Sequence, residues 1–343
     1  YAKALEIVSK DPNNDGVLIV LTPQAMTEPT ASAEQLKRFG KLDGKPILAS
    51  WMGGDQVRLG EEILNNAGIP TFPYPDTAMR AFAYMWRYAD NLRSLYETPA
   101  VGADSDNQFA KRSQVAKIIR TARRGKRTLL TEVESKEILA AYGISVVDTY
   151  IAFSEDEAVK IAGSIGSPVV LKVYSATITH KTAVGGVKLN LRGAAVVRRA
   201  YRQIQLAVSK HNPGEDFLGV TVEPMIAVDG CELILGSSLD PQFGPVLLFG
   251  AGGQRVEVFE DRALALPPLN ATLARRVIEQ TRIFAALKGV RGRGPVDLEA
   301  LDQLLVRFSQ LVAEQRWIKE IDINPLVASA SGLIALDARM VLH

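Results

Sequence analysis

Three lysines and a histidine crowd one stretch of this chain. Residues 169–192 read Val-Val-Leu-Lys-Val-Tyr-Ser-Ala-Thr-Ile-Thr-His-Lys-Thr-Ala-Val-Gly-Gly-Val-Lys-Leu-Asn-Leu-Arg. The pattern predicts a strand, a polar loop, a glycine pair and a second strand. Lys172 falls on the first strand, His180 and Lys181 in the loop, and Lys188 on the second strand. Lysines neutralise oxyanions and a neutral imidazole can accept a phosphoryl group, so the stretch suits phosphate chemistry. A plain β-hairpin with a surface histidine fits the same local pattern.

A second constellation is acidic. Glu320-Ile321-Asp322-Ile323-Asn324-Pro325-Leu326 alternates polar and apolar side chains, which puts Glu320, Asp322 and Asn324 on one face of a strand. Asp337 is expected in the next strand, where antiparallel pairing places it beside Asn324. An amide and carboxylates suit Mg²⁺, which takes few protein ligands and completes its shell with water and phosphate oxygens. A solvated acidic edge is the alternative. Glu223 and Glu232 sit in strands otherwise apolar enough to be buried, so each requires a donor such as a ribose hydroxyl. Basic strands, a histidine loop, two strand acids and a distal Asn/Asp pair are together what a nucleoside triphosphate held between two sheets with Mg²⁺ requires.

Other chemistries find little support. There is no Walker-type loop, and residues 250–255 lack the third glycine of a dinucleotide fingerprint. No serine elbow or zinc pattern occurs. The other two histidines, His211 and His343, fall before an Asn-Pro-Gly turn and at the last position.

These residues need elements to position them. The 343 residues favour two or three domains, with 47% hydrophobic and 23% charged side chains. A net charge of +2 gives no global field for nucleic acid or an anionic membrane. One cysteine rules out an internal disulfide, and no run is long enough to read as a transmembrane helix. Tyr1 falls in a helical pattern, so the sequence is expected to be a piece of a longer protein.

Strands at 17–21, 46–50 and 71–74 alternate with helices at 32–39, 55–66 and 77–96. That order predicts a doubly wound parallel sheet of flavodoxin-like type over residues 1–100. Its strand ends, at 22–30 and 50–55, are candidate anion seats by their free backbone N–H groups, or simply helix caps. Residues 97–107 read as a linker. Residues 110–127 carry eight Lys/Arg and no acid, and read as a solvated connecting helix. Residues 101–127 thus join the first domain to a second at 128–343. The second opens on a helix over 131–142 with Thr131 and Glu134 as a capping box. It continues with strands at 144–153, 245–249, 256–259, 318–323 and 333–339, and helices at 154–162, 193–210, 271–287 and 298–314. Strands 217–225 and 231–239 are expected to pair around a turn at 227–230.

At these residues the chain resembles the NDP-forming acyl-CoA synthetases, relatives of succinyl-CoA synthetase. The matching motifs are His180-Lys181-Thr182-Ala183-Val184-Gly185-Gly186-Val187, Gly250-Ala251-Gly252-Gly253 with Val256-Glu257-Val258, and Asp322-Ile323-Asn324-Pro325-Leu326 with Asp337. In the first domain they are Leu21-Thr22-Pro23-Gln24 and Ser50-Trp51-Met52-Gly53-Gly54.

The resemblance implies an α/β chain in which a flavodoxin-like ligase domain precedes a two-lobed ATP-grasp domain. It implies an enzyme, an acid–thiol ligase interconverting acyl-CoA, NDP and phosphate with carboxylate, NTP and CoA. By resemblance, Lys172 contacts nucleotide phosphates and the backbone at Gly185 and Gly186 covers them. Glu223 to Ile226 meets adenine or ribose, Glu232 the ribose, and Asn324 and Asp337 hold Mg²⁺. His180 matches the histidine that relays a phosphoryl group between ATP/ADP (or GTP/GDP) and a second histidine on a mobile loop. The helix start after Thr22, Pro23 and Gln24 corresponds to the one that receives that second phosphohistidine. CoA is then held mainly by a further domain that, with the mobile-loop domain, would precede Tyr1. A cytoplasmic homo-oligomer that uses neither nucleic acid nor membrane is expected. The family motif often carries Asp where Ala183 stands, which removes one possible orienting carboxylate from His180. The same pair of domains also resembles the non-catalytic ligand sensors fused to protein lysine acetyltransferases.

Overall fold

The computed structural model describes residues 1–41, 44–95, 105–166, 168–178, 180–211, 217–226, 230–253, 261–290 and 294–343. The expected strand at 256–259, the turn at 227–229, residues 212–214 and most of the linker at 97–107 lie outside the described residues. The chain divides into two compact units, Tyr1–Glu97 and Thr98–His343.

The first unit is a three-stranded parallel sheet, β1 (Val17–Leu21), β2 (Ile47–Trp51) and β3 (Thr71–Phe72), in that order. Helices α1 (Ala2–Ser9), α2 (Pro29–Leu36), α3 (Arg58–Asn66) and α4 (Pro75–Leu95) alternate with the strands. All five residues of the middle strand are buried, as expected of a parallel strand covered on both faces. Its core joins Leu21, Leu36, Trp51, Leu64 and Ile69. Thr22, Pro23 and Gln24 leave β1 as irregular chain. Helix α2 begins at Pro29, three residues before the expected start at 32, after an irregular stretch that follows this motif. Pro23 packs against Gly53, and in this way the ends of β1 and β2 meet.

The second unit holds two sheets. After α5 (Ser105–Arg124) and α6 (Glu132–Ala141), strands β4 (Tyr150–Ala152), β5 (Val169–Tyr174), β6 (Val187–Leu191) and β7 (Gly219–Pro224) form an antiparallel sheet in the order β4-β7-β5-β6. Leu171, Val173, Val220 and Val222 pack on one face of it with α7 (Glu155–Ile165) and α8 (Ala194–His211). The other face carries Val170, Lys172, Thr221 and Glu223, because Lys172 pairs with Thr221 and Val170 with Glu223.

The second sheet runs β10 (Arg262–Ala265), β9 (Gly244–Ala251), β8 (Cys231–Asp240), β11 (Ile318–Ser329), β12 (Gly332–Ala335), with β13 (Arg339–Leu342) also paired to β11. Its core combines Leu233, Leu235, Phe249, Ile321 and Ile323 with residues of α9 (Ala271–Glu279), α10 (Phe284–Leu287) and α11 (Leu298–Glu314), among them Ile278, Leu287 and Phe308.

Three expectations are corrected here. β7 and β8 do not pair; they lie in different sheets, because periodicity marks a strand as buried without naming its partner. Of residues 144–153 only Tyr150–Ala152 is strand, and Val146 makes a single bridge to Ala335. The strand expected at 333–339 is broken, so Asp337 lies in the link between β12 and β13 rather than within a strand. Among the described residues no helix is long and apolar enough to cross a membrane.

Candidate functional site

The opening of α6 is built as its sequence suggests. Thr131 accepts from the Glu134 backbone N–H, and the Glu134 carboxylate accepts from the Thr131 N–H, so the capping box is complete. Arg127 binds both oxygens of Glu134, at 2.9 and 2.6 Å. This fixed first turn carries Glu132, and one turn later Lys136, toward the face of the four-stranded sheet that bears Lys172 and Glu223.

There the four side chains meet. Lys172 Nζ lies 2.6 Å from Glu132 Oε1 and 3.0 Å from Glu223 Oε2. Lys136 Nζ lies 2.8 Å from the same Glu132 oxygen and 2.9 Å from Glu223 Oε1. Lys136 also donates to Thr149 Oγ1, and Lys172 to the Leu336 carbonyl in the β12–β13 link, each at 2.8 Å. Lys181 reaches in from the histidine loop, 2.7 Å from Glu132 Oε2 and 2.8 Å from Asp337 Oδ1. Three cations and three anions therefore close one network, and the Glu132 side chain at its centre is only 3% exposed.

Burial and charge set the ionisation of this network. Burial pushes the Glu132 carboxyl up, but Lys172, Lys181 and Lys136 override it and hold the group well below the ordinary carboxylate range. Glu223 moves the other way: burial, then repulsion from Glu132, lifts its pKa against the pull of Lys172 and Lys136. Burial would discharge Lys172, and Glu132, Asp337 and Glu223 reverse that, raising its pKa so that it stays protonated. Lys181 is raised in the same way, chiefly by Glu132 and Asp337 against burial.

Above the network opens a cavity of about 400 Å³, lined by His180, Lys181, Thr182, Ala183, Asp322, Asn324, Asp337, Ala338 and Arg339. Asn324 reaches it from an irregularity in β11, where pairing with β8 shifts between Ile323 and Leu326. Bulges of this kind re-aim a side chain. Burial raises the pKa of Asp322, with Arg339 opposing. His180 is exposed at the rim.

The sequence-predicted residues thus fall into groups. His180, Asn324 and Asp337 line one cavity. Lys172 and Glu223 lie beneath it, tied to Asp337 through Glu132 and Lys181. The donors that Glu223 finds are lysines and Thr149, not an open ribose subsite. Gly185 and Gly186 form the turn after the histidine: Gly186 N–H donates to the Lys181 carbonyl at 2.7 Å. A Cβ on Gly186 would come within 2.7 Å of Val173 Cγ1 and 2.9 Å of that carbonyl, so only glycine closes this turn. Glu232, in β8, lies against Gly253, whose N–H donates weakly to Asn324 Oδ1 at 3.4 Å. Gly253 has φ +80°, and a Cβ there would meet Glu232 Oε2. Ile226 is half-buried just past β7. Thr22, Pro23 and Gln24 belong to the first unit. Lys188 pairs with Leu171, which places it on the opposite sheet face from Lys172.

Sequence reasoning passed over Glu132 and Lys136. An i,i+4 Glu/Lys pair reads as a solvated helix pair. The available signal was phase: residues 132, 136 and 139 fall on one helical stripe, and Leu139 is a core residue.

Oxygen donors from Asp322, Asn324 and Asp337 around one cavity fit a hard divalent cation that keeps water and phosphate in its remaining positions. Lysines lie beneath it and a histidine at its rim, and residues 121–342 match the ATP-grasp domain family. The chain is 37% identical over its full length to the ADP-forming acetate–CoA ligase I of Archaeoglobus fulgidus, covering 48% of that protein. It is 42% identical over 213 residues, 62% of this chain, to the beta subunit of ADP-forming acetate–CoA ligase I of Pyrococcus furiosus, covering 91% of that subunit. A solved structure of Ca. Korarchaeum cryptofilum dinucleotide-forming acetyl-coenzyme A synthetase 1, in complex with coenzyme A and Mg-AMPPCP, matches with TM-score 0.58 and 37% identity, over 67% of this chain and all of that one. The chain belongs to the ADP-forming acyl-CoA ligase family and carries that family's ATP-grasp domain. It spans about half the length of the single-chain relatives it matches end to end.

Proposed function

We propose that this chain is the nucleotide-binding part of an ADP-forming acyl-CoA synthetase and that His180 is its phosphoryl carrier. The observation that carries the reading is the shared cavity: His180 at the rim, Asp322, Asn324 and Asp337 across from it, and lysines at and beneath its floor. The relatives described above are ligases, which favours the enzyme over an acetyltransferase-linked sensor.

In the ATP-consuming direction a ring nitrogen of His180 attacks the γ-phosphorus. The bond to the β,γ-bridging oxygen breaks, ADP leaves with that oxygen's charge, and the imidazole gives up its proton. Lys172 and Lys181 neutralise charge on the phosphate chain, and the Gly185–Gly186 turn packs over it. Asn324 and Asp337 would hold Mg²⁺, which would supply further charge neutralisation on the phosphoryl oxygens. Glu232 and the residues that follow Glu223, up to Ile226, border the nucleoside, while Glu223 itself holds Lys172 and Lys136 in place.

The first unit serves as the flavodoxin-like ligase domain, with Thr22, Pro23 and Gln24 leading into the helix that receives a second phosphohistidine. Coenzyme A is held chiefly by domains outside this stretch. The full chain, incubated with Mg²⁺ and γ-labelled ATP, should acquire an acid-labile, base-stable label that maps to His180 and is lost in His180→Asn. If no such label forms even when the remaining family domains are supplied, the proposal fails.

A further inference from the structure

The nucleotide-site lysines are already fully employed. Lys181 Nζ lies 2.8 Å from Asp337 Oδ1 and 3.0 Å from Oδ2, so a single ammonium takes both oxygens of a carboxylate assigned above to the metal. Magnesium binds oxygen at about 2.0–2.1 Å, and two cations on one carboxylate at such distances repel strongly. The Lys181 carbonyl accepts from the Gly186 N–H at 2.7 Å, which favours an exchange made by a swing of the lysine side chain over one that shifts the turn.

The charge balance points the same way. Lys136, Lys172 and Lys181 are matched by Glu132, Glu223 and Asp337, so a phosphate chain meets no net positive charge at the floor. When Asp337 passes to a divalent cation, Lys181 keeps only Glu132, which it shares with Lys136 and Lys172. That leaves positive charge in surplus beside His180, where a phosphate can use it.

We propose that Lys181 is the built-in counter-cation of the metal seat: a divalent metal must displace it from Asp337, and the displaced ammonium becomes a phosphate ligand. Metal and nucleotide binding are then positively coupled through one side chain. This rests on the reading that Asp337 is a metal ligand.

The test uses the full chain, with Mn²⁺ as the metal probe read by electron paramagnetic resonance and ADP as the nucleotide. Lys181→Met should bind Mn²⁺ alone at least about fivefold tighter than the parent chain, and should lose a comparable part of the mutual enhancement between Mn²⁺ and ADP. Lys181→Arg, which keeps a cation on Asp337, should behave like the parent. Unchanged or weaker Mn²⁺ binding by folded Lys181→Met overturns the inference. Asp337→Asn separates it from the reading beneath it. If Asp337→Asn leaves Mn²⁺ binding intact, the metal assignment fails and the inference with it. If Asp337→Asn abolishes binding while Lys181→Met does not tighten it, only the inference fails. Should Lys181→Met not fold, acylation of Lys181 in the parent chain, followed by mass spectrometry, decides: saturating Mn²⁺ should raise its reactivity, and no change refutes the displacement.

Discussion

Glu132 holds three lysines with one carboxylate, and its energetics follow from that geometry. Removing one member of a buried ion network leaves its partners uncompensated, at a cost of about 3–5 kcal/mol. Glu132→Gln should lose that much at pH 7 in urea titrations. The pH dependence carries a sign. The folded pKa of Glu132 is depressed, so its contribution is fully present above the ordinary carboxylate value of 4.5 and is lost as pH falls toward the folded value. The gap between parent and variant should narrow by roughly 1.4 kcal/mol per pH unit below that point; a constant gap refutes the depressed pKa. At this scale the sequence marked residues that the structure gathers at and beneath one cavity. Lys172, His180, Asn324 and Asp337 were readable because each stands out against a strand or glycine turn. Glu132 and Lys136 were not, because a charged helix pair looks the same in water and in a core until the opposing sheet is known.

The elements work through their ends. Helix α6 delivers Glu132 from its first turn, and the Thr131–Glu134 box fixes where that turn begins. Thr131→Ala should cost about 1 kcal/mol of stability, measured by chemical denaturation. A cost within error of zero would mean that the Arg127–Glu134 pair alone holds the turn. Capping boxes and periodic helices were legible, since both are local: Thr131–Glu134, Ser154 and the span of α11 all stand as read. Strand partnership was not. The placement of β7 and β8 in separate sheets is a long-range outcome, and so is the break between β12 and β13 that hangs Asp337 over Lys181. There β12 pairs with the last residues of β11 and β13 with its first, so the link between them runs along the same edge of β11 past Asn324, where the Leu336 N–H donates to the Pro325 carbonyl.

At the scale of the whole chain, the two units have separate cores, one around Trp51 and Leu64 and others around Phe308 and Leu171. A ligand that binds only the second unit should stabilise only that unit. Mg²⁺ and ADP at about a hundred times their dissociation constant should add about 2.7 kcal/mol to it. Hydrogen exchange should then slow in β5, β7 and β11 but not in β1 or β2; equal protection in both units would place the nucleotide elsewhere. The closed charge network has one more consequence, for how such a sequence can change over time. Its six members come from residues as far apart as 132 and 337, and the four most buried, Glu132, Lys136, Lys172 and Glu223, cannot be neutralised alone without stranding an opposite charge in the interior. Drift at these positions must proceed by compensated pairs, an acid and a base lost or gained together. Variation among descendants of this chain should therefore be correlated between α6, β5, β7 and the β12–β13 link, while the exposed cations of α5 vary one at a time.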